Sequence, residues 1–176
     1  MAWQTPVYDR EYSDVEEAKR LINKVKNSGY GSLTQQEKSD WDSGNLKGCR
    51  NKNDLNRIEN NCAYLSNILG LDLETKTDWD YSTTPLQKDI KRIRNNVLKI
   101  KNRIYEIISF ETNDVPDLPI NTYYKMNNIE HVLYLIYQSL SDNQLMRWHD
   151  LDDINETWNQ LDNKELLWKN AYILNE

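Results

Sequence analysis

The chain of 176 residues has a formal net charge of −6 and a sequence pI near 5.0. This balance argues against nucleic acid and anionic membrane surfaces as partners, because binding to either needs a positive field. Apolar runs such as 132–137 are far shorter than the roughly 20 residues that cross a bilayer. A chain of this length can fill one well-packed core, or two small cores that share an interface.

The first predicted helix begins at Ser13 and ends at Gly29. Ser13 and Glu16 have the spacing of a capping box, in which each side chain bonds a free backbone N–H of the first turn. Apolar residues at helical spacing predict its buried face: Val15, Ala18, Ile22 and Val25. A second capping box, starting at Thr34, predicts a short helix that carries Trp41.

A polar loop is predicted over 43–53, followed by a helix over 53–69. Asn53 is expected to cap this helix, and Gly70 to end it. Its apolar residues are three and four positions apart, which places them on one face: Leu55, Ile58, Cys62, Leu65 and Leu69.

The stretch 71–84, rich in Thr and Asp, is predicted to be a linker. Thr84 and Pro85 then predict a helix start, with Thr as cap and Pro in the first helical position. This helix is expected to cover 85–109 and is the longest in the chain. Its apolar face is Ile90, Ile93, Val97, Ile100 and Ile104.

Pro116 and Pro119 exclude a helix over 113–121. The next helix is predicted over 122–140, with a third regular face: Met126, Ile129, Leu133, Ile136 and Leu140. A short helical turn after Leu140 then leads to Trp148. A last helix over 150–168 has Leu151, Ile154, Trp158 and Leu161 on one face.

These elements predict an all-α protein, an irregular bundle of about five main helices and two short ones. Narrow apolar faces suit the contact between neighbouring helices in a small bundle. The natural division is an N-terminal unit over 1–70, a linker over 71–84 and a C-terminal unit over 85–176. The alternative is a single domain over 1–176.

Two repeated sequence patterns suggest duplication of a unit made of a helix, a turn bearing Trp, and a second helix. Asp-Trp-Asp occurs around both Trp41 and Trp79, shortly before a helix with a regular apolar face. The capping box that leads to Trp41 also matches the sequence that leads to Trp148. The spacing of these repeated patterns is uneven, which favours an irregular bundle over a solenoid.

No pattern of catalytic, metal-binding or cofactor-binding residues is recognisable. His131 and His149 belong to different predicted helices and lack ligand spacing. Cys49 and Cys62 are expected to be reduced, without a disulfide. We therefore predict a protein that is not an enzyme and needs no metal and no cofactor.

An interaction surface is predicted from aromatic and basic residues: Trp41, Trp79, Trp148, Lys91, Arg92, Arg94 and Lys99. The helix over 88–103 is strongly basic, whereas 142–165 is acidic. These charges have two competing interpretations: contact with a partner, and pairing of helices inside the fold. Two alternative functions remain open at this point: a carbohydrate-binding module whose Trp rings stack on sugars, and a small helical regulator that uses its basic helix.

The sequence over 53–61 reads Asn-Asp-Leu-Asn-Arg-Ile-Glu-Asn-Asn and is followed by Tyr64 and Leu65. With Trp3, the Thr-Pro and Asp-Arg pairs of 5–10, and the helix of Trp158, it resembles tail-associated structural proteins of phages and prophages from low-GC Gram-positive hosts. There, a helix with the phrase N-x-x-D-L-N-R-I-E-x-N recurs. The resemblance covers 1–100 best.

The resemblance implies a non-enzymatic part of a tail, baseplate or fibre. Its partners would be other virion proteins, in a homo-oligomer or a mixed assembly, with nucleic acid and membrane not expected. The protein would be located in the virion after assembly in the host cytoplasm. The phrase is structural, so the resemblance assigns no functional residue, and this chain has no recognisable receptor-binding or lysin domain after its helical part.

Overall fold

A computed structural model describes residues 2–44, 46–80, 82–107 and 112–142. This part is an all-α helical bundle without a strand, as predicted. It has five α-helices: α1 (Tyr12–Ser28), α2 (Gln35–Ser43), α3 (Lys52–Ile68), α4 (Gln87–Ile107) and α5 (Tyr123–Asp142). A short 3-10 helix (Tyr30–Ser32) lies between α1 and α2. The predicted elements around Trp148 and over 150–168 lie outside the described residues.

Three predicted apolar faces form one core. Every residue predicted for the faces of α3, α4 and α5 is at most 7% exposed, except Ile90, which is half-buried. These residues belong to one continuous buried cluster, which therefore draws on both sides of the 71–84 segment. Each of the three helices contacts the other two. The narrow faces are sufficient because each helix has two helical neighbours.

The three helices of this bundle run parallel to one another. A small cavity is lined from all three by residues of their first two turns, including Leu55, Ile93 and Met126. At the opposite end, the ring of Trp3 stacks on Tyr137, with centroids 4.1 Å apart, and lies 5.8 Å from Tyr64. Parallel neighbours cannot be joined by tight turns, so the chain must return along the bundle after each helix.

Extended segments provide these returns and fill the grooves between helices. The N-terminal arm (2–11) lies between α3 and α5, the first return (71–80) between α3 and α4, and the second return (112–121) between α4 and α5. Ten extended residues span roughly 33 Å, enough to return along a 17-residue helix of roughly 25 Å. The bundle is thus three helices with three antiparallel extended segments.

Within the 71–84 stretch, residues 71–80 and 82–84 are not helical, as predicted, but the first ten residues pack against the bundle. The carbonyl of Glu74 accepts hydrogen bonds from Arg92 Nη1 (2.9 Å) and Asn96 Nδ2 (2.8 Å). Trp79 is 3% exposed and belongs to the main core. This part of the stretch is therefore held between α3 and α4 through its backbone and through the buried Trp79.

Three predicted helix starts are wrong by one to two residues. Glu11 and Asp14 form the capping box of α1, in place of Ser13 and Glu16. Asn51 caps α3 in place of Asn53, and its partner is Asp54. In both helices the acidic residue three positions after the cap accepts the backbone N–H of the cap residue, at 2.8 Å for Asp14 and 3.2 Å for Asp54.

The third start is that of α4, which begins after Leu86 and not at Pro85. The carboxylate of Asp89 accepts the backbone N–H of Leu86 at 2.8 Å. The helix therefore begins where an acidic side chain can reach back to its first free N–H. The predicted end near 109 lies outside the described residues.

Other predicted boundaries are confirmed. Thr34 caps α2 and forms its capping box with Glu37. Gly70, at φ 63°, ends α3, and Leu71 N–H donates to the carbonyl of Ser66 at 2.8 Å. This is the Schellman arrangement, which requires a left-handed residue and therefore favours glycine.

The predicted face of α1 is only partly right. Ala18 is 3% exposed, but Ile22 is 45% exposed and Leu21, one position earlier, is 1% exposed. None of these residues belongs to the core cluster of the bundle. The α1–α2 hairpin (12–43) is thus a separate layer, and its helix turns a different face inward because its neighbours are a short helix and loops.

The hairpin is seated closely on the loop that precedes α3. A Cβ atom added at Gly48 would lie 1.9 Å from the backbone oxygen of Asp14. Lys47 in the same loop pairs with Asp9 at 2.7 Å. The absence of a side chain at position 48 therefore allows the loop to contact the first turn of α1.

The two Asp-Trp-Asp sequences are not structurally equivalent. Trp41 is part of helix α2, whereas Trp79 lies in an extended return. The unit that does recur in the described residues is an extended segment followed by a long helix of the bundle. The α1–α2 hairpin is inserted between the first such segment and its helix.

Candidate functional site

The polar side chains of α3 form the centre of the molecule's contacts. They project from the first three turns of the helix, on either side of its apolar face, and reach the arm, the first return and both neighbouring helices. We call this set the α3 hub: Asn51, Asp54, Asn56, Arg57, Glu59 and Asn61. These are the residues of the phrase that carries the resemblance.

The first part of the hub is a buried charge network between the arm, α3 and α5. Arg10 donates to Asp54 at 2.8 Å and to Glu130 at 2.7 Å, and the side chains of these three residues are 2%, 7% and 1% exposed. Arg57 also donates to both carboxylates at 2.6 Å. Two cations thus balance two anions, which is how ionised groups are tolerated in a core.

The network raises the pKa of Arg57. Burial alone would lower this pKa, but the hydrogen bonds and charges of Glu130 and Asp54 outweigh burial and raise it above its ordinary value. Arg57 is therefore held as a cation in the network. Glu130 also accepts the backbone N–H of Val7 at 2.8 Å, which fixes the arm to α5.

A second ion pair joins α3 to α4. Glu59 is fully buried and receives both terminal nitrogens of Arg92, one of them at 2.9 Å. Such two-pronged contact between guanidinium and carboxylate sets the relative position of the two helices. Near it, burial raises the pKa of the Cys62 thiol, and the charge of Glu59 adds to this effect. Cys62 is therefore a neutral core residue and a poor nucleophile.

Three asparagines each hold one residue of an extended segment by both of its backbone groups. Asn61 binds the N–H and the carbonyl of Gln4, both at 2.8 Å. Asn56 binds those of Trp79 at 2.7 and 2.9 Å. Asn127 binds those of Arg10 at 3.3 and 2.8 Å. The amide replaces a neighbouring strand, so buried extended backbone is satisfied without a sheet.

The hub has a counterpart on α5. Asn56 and Glu59 of α3, and Asn127 and Glu130 of α5, occur in the same Asn-x-Ile-Glu order. In both helices the asparagine holds an extended segment and the glutamate accepts an arginine from another element. Sequence reasoning missed this because it followed the apolar positions, although the shared order was visible in the sequence.

The predicted interaction surface is divided by the structure. Trp79 is 3% exposed, with its backbone held by Asn56 and Lys76 Nζ 4.4 Å from its ring centroid, so it presents no free face for a sugar. Trp41 is half-buried. The two indoles line one cavity of about 420 Å³ beside the exposed Ile22. Trp148 lies outside the described residues.

The four basic residues of the predicted surface separate into two pairs. Arg92 is bound to Glu59, and Arg94 donates to the carbonyl of Pro116 at 3.2 Å. Lys91 and Lys99 are exposed and form no ion pair with a described residue. Part of the basic character of α4 thus serves internal contacts, and the rest faces solvent.

Comparisons with models of protein families, with curated proteins and with solved structures found no match. Within the described ranges, no group of three or more His, Cys, Asp or Glu side chains could hold a metal ion. The helices of this part are each too short or too polar to span a membrane.

Proposed function

We propose that the protein is a non-enzymatic structural component of a phage or prophage tail, baseplate or fibre, located in the virion and acting through contacts with other virion proteins. The observation that carries the proposal is the α3 hub. Its residues are those of the recurring phrase of tail-associated proteins. Asn51 caps α3, and each of the other five binds another element of the chain. Such a phrase encodes a rigid platform whose outer faces remain available to partners.

The partner surface in this proposal includes the solvent side of α4. Lys91 and Lys99 are exposed on this helix, two turns apart, and Tyr105 adds an aromatic ring that is 45% exposed. A basic and aromatic strip on an acidic protein favours an acidic partner surface, because complementary charge guides association. The half-buried Trp41, on the hairpin, is a second point of contact.

Incorporation into particles tests the proposal. Mass spectrometry of gradient-purified particles from the encoding phage or induced prophage should detect the chain together with tail proteins. Light scattering on the purified protein should show an oligomer or a complex with such a protein. A monodisperse monomer that is absent from purified particles would contradict the proposal.

A charge-reversal pair tests the α4 surface. Lys91→Glu with Lys99→Glu should reduce incorporation by tenfold or more, as expected for like charges at a complementary interface. The matched control is Lys19→Glu with Lys26→Glu, which changes two exposed lysines of α1. If both pairs are incorporated like the wild-type chain, the solvent side of α4 is not the contact surface.

A further inference from the structure

A cavity of about 250 Å³ lies between the start of α5 and the loop before α3. Its wall contains three cationic side chains, Arg10, Lys47 and Arg50, and no carboxylate. Thr122 and Tyr123, at the start of α5, close one side. The concentration of positive charge is notable because the whole chain has a net charge of −6.

The three cations differ in how far they are neutralised. Arg10 is bound to Asp54 and Glu130 and belongs to the buried network. Among the described residues, Lys47 pairs only with Asp9. The two side chains are 43% and 69% exposed, so water and other anions compete for this contact.

Arg50 is the cation with the most unused capacity. Its one hydrogen bond to a described residue runs from Nη1 to the carbonyl of Ile120 at 3.2 Å. No described carboxylate lies within ion-pair distance of it. A guanidinium has five N–H donors in a planar fork, so Arg50 can offer a two-pronged contact to an oxyanion.

The start of α5 adds backbone donors. Its first-turn N–H groups have no acceptor within the helix, and the positive end of the helix dipole lies there. The carbonyl of Thr122 accepts the first helical bond, from Met126 at 3.1 Å, but the buried hydroxyl of Thr122 has no hydrogen-bond partner among the described residues. The side chain at the cap position, which in α2 is Thr34 and bonds a first-turn N–H, therefore does not bond the first-turn N–H groups of α5.

We propose that this cavity binds a phosphate group, held by Arg50 and Lys47 and by the N-terminal backbone of α5. The apolar side chains of Ile120 and Met126 in the wall leave space for a small organic body, so a phosphomonoester fits as well as the free ion. The site does not depend on the virion role proposed above.

Thermal unfolding of the full chain at pH 7 tests the site, with inorganic phosphate compared with sodium chloride at equal ionic strength. For a dissociation constant near 1 mM, about 10 mM phosphate should raise Tm by about 3–6 °C. Glycerol 3-phosphate, measured in parallel, distinguishes the two sources: a larger rise indicates a phosphomonoester, and an equal rise the phosphate alone. A rise no greater than that in chloride overturns the proposal.

Substitutions in the cavity wall test which side chains bind the phosphate. Arg50→Gln and Lys47→Gln should each weaken phosphate binding by about tenfold and leave Tm in chloride close to that of the wild type. Arg103→Gln, which removes an exposed cation near the other end of α4, should bind phosphate normally. Unchanged binding by Arg50→Gln overturns the assignment.

Amide NMR of the wild-type chain gives a result that does not depend on the stability of any variant. Phosphate should shift the backbone N–H signals of Tyr123 and Tyr124, in the first turn of α5. Shifts confined to other parts of the protein would overturn the proposal.

Discussion

The bundle of α3, α4 and α5 and the α1–α2 hairpin are built from similar amphipathic helices but are held together differently. In the bundle, apolar faces enclose a common core, and the charged groups between helices are themselves buried. In the hairpin, only Ala18, Leu21 and Leu33 are buried, and the ion pairs of Glu37 with Arg20 and Lys24 lie near the surface. Helical periodicity alone does not distinguish the two situations.

The difference shows that an apolar helix face is buried only where neighbouring elements cover it. In α3, α4 and α5 a face five residues long is covered on two sides by helices and sealed by an extended segment. In α1 the face of similar length has no such cover, and Ile22 remains 45% exposed. We therefore expect the same substitution to have very different effects in the two regions.

The largest expected effect comes from a charge placed in the core. Ile58→Asp should abolish the cooperative thermal transition, because an unpaired carboxylate would have to enter a site that is 1% exposed. Ile22→Asp, at a position predicted by the same spacing rule, is the matched control and should unfold close to the wild type. Circular dichroism on heating measures both, and a cooperative transition in Ile58→Asp would show that α3 does not supply the core.

Removal of a buried network anion should have the next largest effect. Glu130→Ala leaves Arg10 and Arg57 without one of their two carboxylates and should cost about 3–5 kcal/mol of unfolding free energy, measured with urea. Glu37→Ala in the hairpin removes an anion that also binds two cations, but nearer to solvent, and should cost much less. Equal losses would contradict the distinction between the two regions.

Release of the N-terminal arm should be a smaller and local change. Asn61→Ala removes both hydrogen bonds to Gln4 and should cost about 1–3 kcal/mol. Hydrogen exchange should then speed up in the arm before it does in α3. The control is Asn23→Ala, which removes an exposed amide of α1. If the arm exchanges as fast in Asn23→Ala as in Asn61→Ala, the contact between Asn61 and Gln4 does not hold the arm.

The smallest expected effect is a loss of stability of the hairpin at acidic pH. Hydrogen bonds from Lys24, the Thr34 backbone and Arg20 lower the pKa of Glu37 from 4.5 to about 2. Because the pKa of Glu37 is lower in the folded state, its contacts with Lys24 and Arg20 stabilise the fold. This stabilisation is complete above about pH 4.5 and is lost as the pH falls towards 2. NMR titration of the Glu37 carboxyl carbon should show this midpoint, and a midpoint near 4.5 would show that the ion pairs do not persist in solution.

The sequence predicted the α-helical class and the faces of α3, α4 and α5, because period and capping are local properties. It also placed Gly70 and Thr34 correctly. It missed the inward face of α1, since that depends on which neighbours cover the helix. It missed the true caps of α1 and α3 because two candidate caps lie two residues apart at each start, Glu11 and Ser13 in α1, and Asn51 and Asn53 in α3.

The contact residues were less predictable than the helices. The notable polarity of α3 was visible in the sequence, but the partners of Asn61 and Glu59 are distant in the chain and come from the arm and α4. Trp79 was predicted to belong to an interaction surface, yet Asn56 binds its backbone and its ring lies in the core.

The sequence by itself determined where helices form and which residues of α3, α4 and α5 are buried, because each depends on spacing within about twenty neighbouring residues. Only the tertiary structure decided that these helices are parallel and that extended segments close their grooves. It also decided that asparagines of α3 and α5 hold those segments and that their glutamates bind arginines of other elements. The physical reason is that a buried amide or carboxylate must find its partner, and here that partner is supplied by another part of the chain.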